Sequence, residues 1–260
     1  MNEPDNEAKW VLGLTAVASL MVALDALVLS TALAEIGRAF DASIEGLEWT
    51  ANAYILSFAV LLITASAMGD RFGRRRLFAA GMSLFVIASA ACALAPGIGW
   101  LIAARAVQGM GAAMIMPLAL ALVSAAFPPE QRGRALGIYS SVTALSTVLG
   151  PVAGGAVTQG LAWQWIFWLN VPIGLLTIVL TLSRMRESCG PRAQVDTLGL
   201  LLVTGAAWVW CGGLFAPIKS VGTARKSSSR LPLGQGLWRL SLRGSCVARS
   251  LRGSCVAASR

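Results

Sequence analysis

The chain has 260 residues, of which 56% are hydrophobic and 13% are charged, and its mean hydropathy is +0.70. A soluble domain would carry about twice that charged fraction, and the apolar residues fall in runs of about twenty, the length that a bilayer core requires. The five cysteines lack metal-ligand spacing and the chain has no histidine, which excludes zinc sites and His-based catalysis. These features predict a membrane protein. The sequence has no pattern of a nucleophile with a base that would indicate an enzyme.

Six apolar runs are long enough to cross a bilayer. They cover Trp10–Leu33, Trp49–Met68, Leu77–Ala95, Trp100–Phe127, Ala135–Val157 and Trp165–Leu182, and a seventh candidate covers Leu198–Phe215. We therefore predict an all-α membrane protein with a six-helix bundle in residues 1–190. A possible seventh transmembrane helix follows in 191–217, and a basic tail in 218–260.

The tail differs from the rest of the chain in charge. Basic and acidic residues balance through Pro217, whereas Lys219–Arg260 has nine basic residues and no acidic one. A nine-residue segment that begins at Ser241 is repeated, with one change, from Ser250. We expect this tail to be disordered, and we interpret it as a truncated or frame-shifted end rather than as a polybasic segment for anionic lipid.

Basic residues mark alternate connections between the predicted helices. Arg71–Arg76 follows the second span, Arg132 and Arg134 follow the fourth, and Arg184–Arg192 follows the sixth. Lys and Arg are retained on the cytoplasmic side of membranes. The sequence therefore predicts a multi-pass protein of the plasma (inner) membrane with its N-terminus in the cytoplasm.

Two ionisable residues lie well inside the first six predicted spans. Asp25 follows Trp10 by fifteen residues, about 22 Å into a core about 30 Å thick. Arg105 enters from the other side and lies about 7–8 Å deep, so the two side chains can pair. Gln108 shares a helical face with Arg105. Intramembrane charges are functional candidates, which makes these three residues a candidate proton and substrate site; the alternative is a structural pair in which Arg105 snorkels outward.

The fifth span carries small residues at steps of four. Ser146, Gly150 and Gly154 follow this spacing, with Pro151 and Gly155 beside them. Small residues at this spacing allow close helix approach, and an interior proline removes a hydrogen bond and bends the helix. Such a pattern by itself most often reflects packing.

Together these residues resemble the N-terminal half of a major facilitator superfamily transporter, and in particular its fourteen-helix drug:proton antiporter branch. Five motifs carry the resemblance, in order, between residues 8 and 215: Leu24–Leu33, Ser66–Leu77, Arg105–Gly109, Gly137–Gly155 and Trp163–Pro172. The chain departs from the family pattern at Ser66 and Ser146, where glycine is usual, and at Gln164, where arginine is usual.

The resemblance implies alternating access between two helical bundles, with proton influx driving export of drugs or other amphipathic small molecules. It implies that Asp25 is the proton or cation carboxylate and that Arg105 is its partner. It assigns a cytoplasmic latch to the loop motif, with Asp70, Arg71, Gly73, Arg74 and Arg75. It assigns an antiport-specific helix to Gly137, Gly150, Pro151, Gly154 and Gly155.

The expected partners are an amphipathic small molecule, protons and the lipid bilayer. No cofactor other than a proton gradient, no metal and no nucleic acid are expected. Because no second bundle follows in the sequence, we predict that this chain does not transport alone. Alternatives are a non-transporting or homodimerising half-transporter, and a solute:proton symporter of the same superfamily.

Overall fold

Six α-helices account for nearly all of the residues that the computed structural model describes, which are 3–160 and 162–188. They are α1 (Glu3–Phe40), α2 (Ile44–Phe72), α3 (Arg74–Ala93), α4 (Ile98–Ala126), α5 (Pro129–Gly160) and α6 (Trp165–Arg184). Each is long and apolar enough to cross a membrane, which confirms the six predicted spans. The candidate seventh helix and the tail lie outside the described residues.

The helix ends follow from local sequence. The Ser43 side chain accepts a hydrogen bond from the Gly46 N–H at 3.2 Å and caps the start of α2, which satisfies one of the free donors of a first turn. Pro128 separates α4 from α5, because a residue before proline is disfavoured in helical geometry. The prolines at 117, 151 and 172 instead lie inside uninterrupted helices.

Short connections make consecutive helices antiparallel. The Arg186 N–H donates to Glu7 at 3.0 Å, and the Arg74 N–H donates to the carbonyl of Ser188 at 3.0 Å. The Arg74 side chain also reaches the carbonyl of Ala121, 3.5 Å away. The start of α1, the junction of α2 with α3 and the ends of α4 and α6 therefore lie at one end of the bundle, which we call the basic end.

Helix α4 packs against α1, α2 and α3 because small residues interrupt its apolar sequence. A methyl group at Gly109 would lie 2.4 Å from the carbonyl oxygen of Tyr54, so the backbones of α2 and α4 touch at this point. On the other side of α4, Ile115 packs in a core with Phe78 and Phe85, and all three are fully buried. Glycine at position 109 is thus a requirement of the packing.

Helices α2 and α5 are the least covered. In each of these helices, only 22% of the most apolar 18-residue stretch is buried inside the bundle. Large apolar side chains project from both, among them Ile55, Ile63, Val148 and Val152, which are each more than half exposed. These two faces are available to lipid or to another helical bundle.

Candidate functional site

Asp25 lies in the middle of α1, is 2% exposed and accepts hydrogen bonds from two other helices. Its Oδ2 accepts from Nη1 of Arg105 on α4 at 2.5 Å. Its Oδ1 accepts from Nε2 of Gln108 on α4 at 2.9 Å and from Nδ2 of Asn170 on α6 at 2.8 Å. The structure therefore brings together the three residues predicted as a site and adds Asn170 to them.

The guanidinium group of Arg105 lies against aromatic rings. Its central carbon is 4.2 Å from the ring centre of Tyr54 and 5.8 Å from that of Phe167. Nη1 also donates to Oε1 of Gln108 at 2.9 Å. At 1% exposure Arg105 does not snorkel outward; its charge is met by a carboxylate, an amide and two ring faces.

A second layer of polar side chains on α3 supports the site. The Asn170 amide nitrogen also donates to Oγ of Ser89 at 3.1 Å, and Ser89 donates to the carbonyl of Phe167 at 3.0 Å. Sγ of Cys92 lies 3.6 Å from Oε1 of Gln108. Residues of α1, α2, α3, α4 and α6 therefore meet at Asp25, which we call the Asp25 network.

The energetics of such a network depend on its being complete. A buried ion is expensive to transfer from water, and the attraction between partners offsets this cost only when the remaining donors and acceptors are satisfied. Both Asp25 oxygens have partners, whereas Nε of Arg105 has none among the residues described. A proton added to Asp25 removes the negative charge that Arg105 faces and takes one of the acceptor sites of the carboxylate, so the protonated group accepts less strongly from its three donors.

The predicted loop motif is not a loop but a helix junction. Gly73 is the only residue between α2 and α3, and its φ of +103° is a conformation that glycine adopts without strain. Asp70 and Arg71 lie in the last turn of α2, whereas Arg74 and Arg75 lie in the first turn of α3. Nε and Nη2 of Arg74 are 2.8 and 2.7 Å from Oδ1 of Asp70, so the motif closes on itself.

The segment that follows α6 packs on this junction. Glu187 accepts a hydrogen bond from the Arg75 N–H at 2.9 Å, and its other oxygen is 3.7 Å from Nε of Arg75 and 3.5 Å from Nε of Arg76. Arg75 in turn donates to the carbonyl of Met185 at 2.8 Å. Helix α3 has no acidic residue in its first turn, so Glu187 supplies the negative charge that a helix N-terminus favours.

The small residues of α5 fall into two groups. A methyl group at Gly150 would lie 2.9 Å from Leu27, and one at Gly154 would overlap the Thr31 side chain, so these two glycines pack against α1. A methyl group at Gly137 or Gly155 would meet no described atom within 4 Å. Pro151 is exposed beside Gly150.

A hydrogen bond also joins α1 to α5 nearer the basic end. The hydroxyl groups of Ser19 and Tyr139 are 2.7 Å apart.

Sequence reasoning did not assign Asn170, Ser89, Tyr54 or Glu187 to a site. Asn170 was part of the resemblance at the start of the sixth span, and an amide inside an apolar helix is itself a signal of interhelical hydrogen bonding. Serine and tyrosine are common in membrane helices and gave no comparable signal. Glu187 lies more than one hundred residues from the junction that it contacts.

The fold and the site define a multi-pass membrane bundle with an ion pair enclosed in its interior. The family model of the Major Facilitator Superfamily matches residues 15–218, and the chain belongs to this family. Its six helices form half of a major facilitator fold.

Two of the curated relatives that the chain resembles are named as resistance or export proteins. The chain is 42% identical over 190 residues to the multidrug resistance protein Stp of Mycobacterium tuberculosis, a match that covers 72% of this chain and 35% of the relative. It is 37% identical over 213 residues to the tetracenomycin C resistance and export protein of Streptomyces glaucescens, covering 81% and 40%. The chain therefore spans well under half the length of these relatives.

A solved structure shows the same fold. A bacterial homologue of the human lysosomal transporter Spinster, in an inward-facing conformation, superposes with a TM-score of 0.58 at 20% identity. The match covers 74% of this chain and 46% of that protein.

Proposed function

We propose that this chain forms the N-terminal half of a proton-coupled exporter of drugs or other amphipathic small molecules. The observation that carries the proposal is the enclosed Asp25 carboxylate, whose donors come from two different helices. The names of the relatives support export of antibiotics and drugs as the class of activity. Proton coupling rests on Asp25.

Asp25 would act by exchanging partners. When Asp25 is ionised, Arg105 and Asn170 hold it to α4 and α6. Protonation removes the charge that Arg105 faces and fills one acceptor site, which weakens the attachment of α1 to both helices. A proton that binds one arrangement of the helices better than the other shifts the equilibrium between them by that difference in free energy.

The basic end would be cytoplasmic and would contain the latch. Basic residues are concentrated at the cytoplasmic ends of membrane helices. The arginines of the basic end follow this bias; they are Arg71, Arg74, Arg75, Arg76, Arg132, Arg134, Arg184 and Arg186. The pair of Arg74 with Asp70, and its position one residue after Gly73, suit a contact that forms in one transport state and breaks in another. The N-terminus would then be cytoplasmic as well.

Transport would require a second bundle. The exposed apolar faces of α2 and α5 suit a helical partner of similar size, supplied by a region equivalent to the rest of the relatives. We propose that the chain does not transport without it. The second candidate function, a homodimerising half-transporter, is favoured by the same two faces and predicts a dimer whose formation is lost when Val148 and Val152 are replaced by arginine.

The proposal is tested by restoring the second half. Residues 1–188 are joined to the C-terminal part of Stp, and efflux of ethidium driven by a pH gradient is measured in inverted vesicles. We expect transport by the fusion, and its loss at equal protein level in Asp25→Asn. The matched control is Glu35→Gln, which changes a carboxylate of α1 that pairs with exposed Arg38. Efflux by Asp25→Asn equal to that of the control would contradict a proton-carrying role.

A further inference from the structure

A groove of about 290 Å³ runs between α1 and α6, away from the Asp25 network. Gly13, Leu14 and Val17 line it from α1, and Ile173, Leu176 and Leu180 line it from α6. The groove is open to its surroundings, since Val17 is 41% and Leu176 is 61% exposed. Thr177, which also lines it, donates its hydroxyl hydrogen to the Ile173 carbonyl in its own helix. The groove therefore presents an apolar surface.

The end of this groove that points to the basic end is aromatic and positively charged. Trp10 closes the groove, and Arg184, one turn beyond Leu180, places its guanidinium carbon 5.5 Å from the Trp10 ring centre. Lys9 is exposed one turn before Gly13. Within the described residues neither Lys9 nor Arg184 forms a salt bridge, whereas Arg186, two residues away, is paired with Glu7.

The length of the groove and its position in the membrane match those of a lipid chain. The groove extends from Trp10 to Val17 on α1 and from Ile173 to Leu180 on α6. Seven steps of 1.5 Å give a length of about 10 Å, which covers the part of an acyl chain nearest the headgroup in a leaflet about 15 Å thick. Tryptophan and basic side chains are the residues that lie at the headgroup level of membranes. The apolar groove thus corresponds in position to the acyl chain of a phospholipid, and the charged residues at its end correspond to the phosphate.

We propose that this groove binds one anionic phospholipid, with an acyl chain between α1 and α6 and the phosphate at Arg184 and Lys9. Two unpaired positive charges at the groove end favour a lipid with net negative charge over a zwitterionic lipid of the same shape. They also oppose entry of cationic amphiphiles, so the groove is distinct from a path for such substrates. The proposal does not rest on transport.

Two substitutions test the groove and its charge separately. Gly13→Leu fills the groove, and its Cβ would lie more than 4 Å from any neighbour among the described residues, so the side chain enters the open groove and not the contact between the helices. Arg184→Gln removes the charge and leaves the groove open. The matched controls are Gly133→Leu, at another helical glycine with open space, and Arg76→Gln, at a basic side chain that is 76% exposed.

The measurement is native mass spectrometry of the full 260-residue chain in detergent, titrated with phosphatidylglycerol or with phosphatidylcholine of the same chain length. We expect tighter binding of the first phosphatidylglycerol, and a loss of about fivefold in its affinity in Arg184→Gln, the contribution typical of one basic residue. Gly13→Leu should weaken both lipids, and the controls neither. Equal affinity for the two lipids, or equal losses in the controls and the test variants, would overturn the proposal.

Discussion

The side-chain amide of Asn170 donates one hydrogen bond to Asp25, at 2.8 Å, and a second to Ser89, at 3.1 Å. One side chain of α6 thereby joins α1 to α3 inside the membrane-spanning part of the bundle. Because an amide nitrogen carries only two hydrogens, Asn170 has no donor left over. Both hydrogens of the Asn170 amide are thus used to hold the Asp25 carboxylate and Ser89 in place.

Replacement of Asn170 by leucine should destabilise the bundle. The change removes one of the two donors to Oδ1 of Asp25 and, among the described residues, the one donor to Ser89, and a hydrogen bond to a charged group contributes about 1.5–3 kcal/mol. The free energy of unfolding in mixed dodecyl maltoside–SDS micelles measures the effect. Asn52→Leu makes the same change in α2 outside the Asp25 network and should cost less; equal losses would mean that the two amide contacts contribute nothing.

The Asp25–Arg105 pair should behave as one unit. Asp25→Asn leaves a guanidinium group buried without a counter-charge and should cost about 3–5 kcal/mol of unfolding free energy. Asp25→Asn combined with Arg105→Met removes both charges, so the double variant should be more stable than Asp25→Asn alone.

The exposed pair of Glu35 and Arg38 is the control for this cycle. Its side chains are 35% and 74% exposed, and Glu35→Gln should change the unfolding free energy by no more than about 1 kcal/mol. Additive effects of the two substitutions in the Asp25–Arg105 cycle would show that the buried charges are not coupled.

Gly109 should not tolerate a side chain. Gly109→Ala brings a methyl group against the Tyr54 carbonyl and forces α2 away from α4, at a cost of about 1–3 kcal/mol. Gly133→Ala, in open space on α5, should instead stabilise by up to about 1 kcal/mol, since alanine is the better helix former. The same micelle titration compares the two, and the expectation fails if both substitutions have the same sign.

Glu187 should protect the start of α3 from exchange. Glu187→Gln removes the charge beside Arg75 and Arg76 and weakens the acceptor of the Arg75 N–H. We expect faster hydrogen exchange in peptides that cover residues 70–78. High salt should reduce the difference between variant and parent, since these side chains are partly exposed and are screened. Glu130→Gln, in the first turn of α5, is the control, and a difference unaffected by salt would contradict an electrostatic cause.

The positions of the helices followed from composition because bilayer thickness sets the length of an apolar span. The similar depth of Asp25 and Arg105, which allows them to pair, also followed, because the rise per residue fixes depth. Asn170 and Tyr54 could not be assigned in this way. Depth in the membrane says nothing of the direction in which a side chain points, and direction depends on how neighbouring helices pack.

The loop motif shows a second limit of sequence reasoning. Glycines and arginines between two apolar runs predict a turn, yet only Gly73 is non-helical. Arginine is a good helix former, so the charged residues extend α2 and α3 instead of forming a loop. Glu187 reaches this junction because α6 ends beside it, a relationship set by the tertiary fold alone.

Gly150 on α5 lies against Leu27, only two residues after Asp25 in α1. Close contact without an intervening side chain leaves little slack between the two helices. A sideways displacement of α5 would then carry this stretch of α1 with it and would alter the carboxylate's distance from its donors on α4 and α6. The movement of a whole helix and the breaking of individual hydrogen bonds at Asp25 would in this way be coupled.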